Sequence, residues 1–308
     1  MHVLVMASQK GGSGKTTLSG HIAVEAERAG VGPVALIDTD PQGSLSHWWN
    51  ARQADSPHFA KVGMYELGEA LEQLRNAGIK LAVIDTPPAI TESISQVVAH
   101  ADLVIVPTRP SPHDLRAVGA TVDIAERHKK ALIFVVNGAT ARARITGEAA
   151  VALSQHGTVA PATMHHRVDF AASMVDGRTV GEVVGKSQSA REVRDLWAYI
   201  QDRLARLKHD PSIAAEFKPQ HFAVSSLSAM GDDQEMIDPR ESAVAAGNDG
   251  LPNTDQLLGL AEPPPVIVTP TYVGPDRRKQ PRDNASAHFG GGVPRQHAFG
   301  RRQTDRLS

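Results

Sequence analysis

Within eight residues, Lys10-Gly11-Gly12-Ser13-Gly14-Lys15-Thr16-Thr17 gathers the side chains and the backbone freedom needed to hold a phosphate. Glycines let successive backbone N–H groups turn toward one point and approach phosphate oxygens closely. A helix opening at Thr16 would aim the positive end of its dipole at the same place. Lys15 then reaches the outer phosphates of a nucleotide, and the Thr16 hydroxyl takes one position around Mg²⁺. The ordinary form of such a loop carries glycine five residues before Gly14, where this chain has Gln9; a second lysine, Lys10, stands next to it instead.

Three more places suit phosphate chemistry. In Leu36-Ile37-Asp38-Thr39-Asp40-Pro41, Asp38 and Asp40 are two apart on an extended segment and point the same way, toward a shared metal and water. The same Asp-Thr-Asp-Pro run also suits a turn and a helix cap. Asp85, in Val83-Ile84-Asp85-Thr86-Pro87-Pro88, is a lone carboxylate closing an apolar run, the arrangement that holds Mg²⁺ through water. Asn137 closes Phe134-Val135-Val136-Asn137; its amide offers one donor and one acceptor to an adenine edge, or simply begins a turn.

The elements that must position these groups are legible as alternating patterns. Short apolar runs at Val3–Ala7, Val34–Asp38, Leu81–Asp85, Leu103–Pro107 and Leu132–Asn137 read as strands buried on both faces. Thr16–Ala29, Met64–Asn76, Ile94–Ala101, Pro112–His128 and Gly147–Gln155 read as intervening helices, and Ser189–Lys208 as the last, with Val193, Leu196, Trp197, Ile200, Leu204 and Leu207 on one face. The alternation predicts an α/β fold with a doubly wound, mostly parallel sheet; the phosphate loop between its first strand and helix is what marks a P-loop NTPase fold. Trp48-Trp49, in the helix after the second strand, is expected to pack on the sheet or line a subunit interface.

In these motifs, taken in order, residues 1–208 resemble the ParA/MinD family of deviant Walker ATPases in its compact form, without an N-terminal helix-turn-helix domain. The resemblance implies ATP and Mg²⁺ as ligands, with Gly11, Gly12, Ser13, Gly14, Lys15, Thr16, Thr17 and Asn137 binding the nucleotide and Thr16, Asp38 and Asp85 around the metal. It implies that Lys10, Lys15 and Asp40 serve catalysis, Asp40 on the hydrolytic water and Lys10 across a homodimer interface on the partner's nucleotide. The run from Val106 to Leu115 matches the family's proline-rich loop near the dimer seam; Asp114 suits that seam or a first-turn helix position. The implied activity is ATP hydrolysis stimulated by a ParB-like or cargo-adaptor protein, driving a dimer that holds nonspecific DNA and positions a plasmid, chromosome or protein cluster. Arg142, Arg144, Arg167, Lys186, Arg191 and Arg194 lie in the region where such proteins meet DNA. A second class is an ATP-switched regulator of cell-division polymer placement.

Composition narrows the field further. There is no cysteine, which excludes disulfides, thiolate catalysis and iron–sulfur ligation. The 14 histidines show no His-Glu-x-x-His spacing. No apolar run approaches the ~20 residues that span a bilayer, the first residues lack a basic leader, and Phe299–Ser308 is basic and nearly devoid of apolar residues. The expectation is a cytoplasmic protein without membrane attachment. Charge is uneven: residues 1–209 carry 22 basic and 21 acidic residues, 210–265 carry 2 and 10, and 266–308 carry 8 and 3. With 11 of the 20 prolines, residues 209–308 read as a disordered tail, acidic and then basic. Its Arg277, Arg278, Arg301 and Arg302 are candidates for added DNA avidity or for an acidic partner.

Overall fold

The computed structural model describes residues 1–89, 92–209, 266–269 and 272–275. Its centre is a sheet of eight strands: β1 (His2–Met6), β2 (Val34–Asp38), β3 (His58–Lys61), β4 (Leu81–Asp85), β5 (Leu103–Thr108), β6 (Ala131–Ala139), β7 (Thr158–Val159) and β8 (Met164–His165). Seven lie in the order β3-β2-β4-β1-β5-β6-β7, β8 pairs with β6, and every pairing is parallel. Parallel strands covered on both faces must be apolar throughout, and β2, β4 and β5 are buried at every position.

Alternate strand residues feed two cores. Leu4, Met6, Leu36 and Ile105 face α1 (Lys15–Arg28) and α2 (Ser44–Ala51), whose Leu18, Ile22, Leu45 and Trp49 join that cluster. Val3, Val5, Ile37 and Val104 belong to the opposite cluster with α3 (Leu67–Asn76) and α4 (Glu92–Ala99). The expected helix over Pro112–His128 is two helices, α5 (Pro112–Arg116) and α6 (Gly119–Arg127). Ala117 and Val118 bond three residues back, to Asp114 and Leu115, which tightens the turn and breaks the run. Then follow α7 (Arg144–Ser154), α8 (Val168–Met174), α9 (Val180–Val183) and α10 (Gln188–His209), the last laying Leu196, Trp197 and Ile200 on the first core. Strands at His58–Lys61, Thr158–Val159 and Met164–His165 carry no sequence signal long enough to read. The segment read as tail begins at His209, which instead closes α10; an antiparallel hairpin, Val266–Thr269 with Tyr272–Pro275, also lies inside it, and its remaining residues, with the arginines from Arg277 to Arg302, fall outside the described residues. Among the described residues, no helix is long and apolar enough to cross a membrane.

A buried polar lock joins α2 to the turn before α9. The Arg52 guanidinium, with 2% of its side chain exposed, donates to Glu182 through both terminal nitrogens (2.9 and 2.7 Å), to the Gly177 carbonyl (2.8 Å) and to the Ser56 carbonyl (2.7 Å). Burying such a charge is tolerable only because the carboxylate and carbonyls satisfy it. Trp49 is fully buried, stacks on Phe59 at 5.0 Å and donates to the Pro57 carbonyl; Trp48 donates to the Arg178 carbonyl. The tryptophan pair therefore packs on the sheet and seats this lock. Gly177 has φ 78°, and a β-carbon there would lie 2.2 Å from the Arg52 nitrogen. Gly177→Ala must push backbone from backbone, and equilibrium denaturation should show a loss of about 3 kcal/mol or more; a loss below about 0.5 kcal/mol would show that the contact yields freely.

Candidate nucleotide site

Register brings the candidate residues to one edge. In the β1–β4 and β2–β4 pairings, Met6 and Asp38 are both level with Asp85, so the loops leaving three strands begin side by side. The chain order also reverses around β1: it runs from β1 to β2 on one side and from β4 to β5 across to the other. Crevices at such switch points, beyond the carboxyl ends of the strands, are where open parallel sheets take ligands.

The loop between β1 and α1 fills this position. Among the described residues no side chain caps α1, which leaves its first-turn N–H groups facing the crevice without a side-chain cap. Lys15, 6% exposed, points inward and donates to the carbonyls of Ser8 (3.2 Å) and Lys10 (3.3 Å). Desolvation lowers its pKa from the usual lysine value, against the opposing pull of Asp85 and Asp40. Lys10 is exposed on the rim of the same loop, as are Gly11 and Gly12, and Thr17 is half-buried beyond Thr16. Ser13 Oγ is buried and has no hydrogen-bond partner among the described residues. Gly14 holds φ 101°, and a β-carbon there would come within 2.1 Å of Asn137 Nδ2, so only glycine allows the loop to lie under that amide. Asn137 donates to the Ser13 carbonyl at 2.6 Å, which leaves a second amide hydrogen and Oδ1 for another group. Asn137 stands within β6, two residues before the strand ends, where the pairing with β8 is irregular.

The carboxylates have different surroundings. Asp85, 1% exposed, accepts from Thr16 Oγ1 at 2.6 Å and from Ser19 Oγ at 3.3 Å. Burial raises its pKa to about 7, against these two hydroxyls and Lys15 and with help from the negative Asp38. Asp38 is fully buried; one oxygen accepts from the Asp40 N–H (3.0 Å), the other from Ser46 N–H (2.9 Å) and Ser46 Oγ (2.6 Å). Asp38 thus faces the first turn of α2, and burial raises its pKa while Ser46 and Asp40 hold it down. Asp40 is half-buried and accepts from the Gln42 N–H, with one oxygen free of these loop bonds. Thr16, Asp85 and Lys15 form one cluster, and the donor set (a hydroxyl, a buried carboxylate and an ammonium beside an uncapped helix) suits Mg²⁺ and a polyphosphate. Ser13's unpartnered hydroxyl fits the same ligand.

Sequence reading missed three polar neighbours. Ser19 lies one turn from Thr16 on α1, so helical spacing could have pointed to it. Ser46 and Arg109 depend on how segments fold back. Arg109 donates to Asp114 (3.3 Å) and more distantly to the Gly11 carbonyl (3.4 Å). Asp114, 7% exposed, also accepts from the Ser111 hydroxyl, and its own N–H donates to Ser111, the N-cap of α5, so it occupies a first-turn capping position. Of the six basic candidates, Arg167 is bound to Glu192 and Arg194 to the Gly185 carbonyl; Arg142, Lys186 and Arg191 are exposed, and Arg144 is exposed with a partner in Glu148.

Asp85 sets a pH dependence. Its folded pKa near 7 lies above the ordinary carboxylate value, so it destabilises the fold when ionised. The associated stability is fully present below about pH 4 and is lost as pH rises toward 7, at about 1.4 kcal/mol per unit. Asp85→Asn should flatten this part of the nucleotide-free protein's stability profile; denaturation midpoints with an unchanged slope from pH 4 to 7 would contradict it.

The comparisons agree with this geometry. A family model described as the CobQ/CobB/MinD/ParA nucleotide binding domain matches residues 4–180. The maintenance of carboxysome distribution protein A of Halothiobacillus neapolitanus is 28% identical over 200 residues, 61% of this chain and 91% of the relative. The protein of the same name from Gloeobacter kilaueensis is 32% identical over 192 residues, 62% of this chain and 71% of the relative. The cell division ATPase MinD of Pyrococcus furiosus shares the fold, with a TM-score of 0.56 at 17% identity over 66% of this chain and 99% of that one. With the loop, the carboxylates and the parallel sheet in place, the chain belongs to the CobQ/CobB/MinD/ParA family of nucleotide-binding proteins, among its ParA- and MinD-type ATPases.

Proposed function

We propose that this protein binds and hydrolyses ATP as a nucleotide-sandwich dimer, holds nonspecific DNA while ATP-bound, and positions a cargo when a partner protein stimulates hydrolysis. The observation that carries the reading is the division of labour between two lysines of one loop. Lys15 is buried toward the phosphate position, whereas Lys10, whose carbonyl Lys15 holds, is exposed on the rim. A rim lysine is placed to meet the phosphates of a facing subunit.

Within each subunit, Lys15 and the first turn of α1 bind the phosphates. Thr16, with Asp85 behind it, would hold Mg²⁺, which when bound neutralises charge on the phosphate oxygens. Asp38 fixes the loop through the Asp40 N–H and Ser46, and Asp40 orients the attacking water. Asn137 reads the adenine edge with the amide groups that Ser13 leaves unused. Exposed Arg142, Arg144, Lys186 and Arg191 supply phosphate contacts to DNA, doubled in number by dimerisation. The carboxysome-distribution relatives support a positioning role with a protein body such as a carboxysome as cargo; a plasmid or chromosome, moved through a ParB-like or adaptor partner, is the other cargo the same cycle serves.

Lys10→Ala should retain nucleotide binding as a monomer and lose ATP-dependent dimerisation in light scattering; an unchanged dimer would remove the sandwich. DNA binding should require ATP. An engagement of about six phosphates would lose roughly a thousandfold in affinity between 50 and 200 mM salt. Equal binding with ADP, or a flat salt response, would contradict this cycle.

A further inference from the structure

At the edge of the sheet opposite the nucleotide crevice, the amino-terminal ends of β1, β5 and β6 and the last turns of α10 enclose a half-open cavity of about 460 Å³. Its walls include Ala101, Ala131, Leu204 and Leu207, and Lys129, Lys130 and Lys208 stand around it. Among the described residues Asp102 is the one acidic residue lining it, and that carboxylate accepts from the Val3 N–H at 2.8 Å and lies 3.8 Å from His2 Nδ1. The cavity therefore presents apolar walls with an excess of positive charge, a combination suited to an apolar side chain beside a carboxylate.

The local backbone adds a second observation. The chain leaves α6 through a paired turn, Lys129 N–H to the Glu126 carbonyl and Lys130 N–H to the Ala125 carbonyl. Glycine is the usual residue at the left-handed position of such a turn, yet Lys129 occupies it at φ 53°. A lysine held where it costs backbone energy invites a role for its side chain, and here that side chain stands at the cavity.

The occupant that fits is the chain's own continuation. Asp210-Pro211 follows α10 directly and disfavours helix at that point. The segment from 210 to 265 carries ten acidic and two basic residues, and its first stretch includes Glu216-Phe217 and Phe222. Position 217 lies eight residues beyond His209, a reach of about 27 Å when extended, while Leu204 and Leu207 lie within the final turns before that point. Tethering keeps the local concentration of this segment at the cavity high, so that even a modest intrinsic affinity is effective. We propose that residues 210–222 dock in cis in this basal cavity, with Phe217 among Leu204, Leu207 and Ala131 and Glu216 paired with Lys130. Docking would start the tail at the pole opposite the nucleotide and engage part of its acidic stretch, leaving the basic end available to outside partners.

The test uses the full-length chain with Phe217 replaced by the photocrosslinker benzoylphenylalanine, followed by peptide mapping. The expected product is an intrachain crosslink, independent of protein concentration, to the peptides carrying Leu204–Lys208 or Lys129–Ala131. Lys130→Glu should lower its yield about fivefold, and adding Glu216→Lys should restore it, because a direct ion pair tolerates exchange of its charges. Unchanged melting temperature and ATP binding confirm that these variants fold. Crosslinks that form between chains, that map to other surfaces, or whose yield ignores the charge exchange would each overturn the proposal, the first in favour of a second copy as the occupant.

Discussion

The hydrogen bond from Thr16 to Asp85 is the interaction on which the site depends. It joins the first turn of α1 to the end of β4, a strand adjacent to the one that launches α1. Burying a carboxylate at the end of a sheet is costly, and the hydroxyls of Thr16 and Ser19 only partly offset that cost, which leaves the pKa near 7. A divalent cation relieves the same penalty by supplying positive charge. The fold thus holds a buried, costly carboxylate where a bound cation would stabilise it.

Around that bond the structure transmits constraint outward. Asp38 ties the end of β2 to the first turn of α2 through Ser46, and Arg52, just past the end of α2, is locked to Glu182 and the Gly177 carbonyl. His21 does the same from α1: Nδ1–H donates to the Thr17 carbonyl, and neutral Nε2 accepts from the Val180 N–H. Burial holds its pKa down to about 4, so the ring stays neutral and keeps both roles near neutral pH. The two helices that face the nucleotide crevice are therefore each fastened at α9, close to the exposed Lys186, just before the last helix, and to Arg191 in its opening turn. This gives a physical route by which the crevice and that surface share one rigid frame.

Much of this was legible in the sequence because the crevice is built from contiguous motifs at strand ends. The loop from Lys10 to Thr17, the Asp-Thr-Asp-Pro run and Asp85 each announce themselves locally, and the register of parallel strands then brings them together. Other features depend on approach across the fold. Ser46 gains its role when α2 folds back on Asp38, Arg109 when the turn after β5 meets Gly11, and Arg167 and Arg194 are drawn to Glu192 and the Gly185 carbonyl. The short strands at His58–Lys61, Thr158–Val159 and Met164–His165 have too few residues to establish a period of two. Pro112–His128 has continuous helical spacing, and only the tightened turn at Ala117 and Val118 divides it.

The central claim is that one crevice at the carboxyl edge of the sheet takes Mg²⁺-ATP. Amide hydrogen exchange on the full-length chain, with and without Mg²⁺-ATP, tests it most directly. Protection is expected to concentrate in residues 8–19, 38–46 and 85–89 and around Asn137, with Lys129–Ala131 unaffected. Protection confined to the opposite edge of the sheet, or no change in the loop from Lys10 to Thr17, would contradict it.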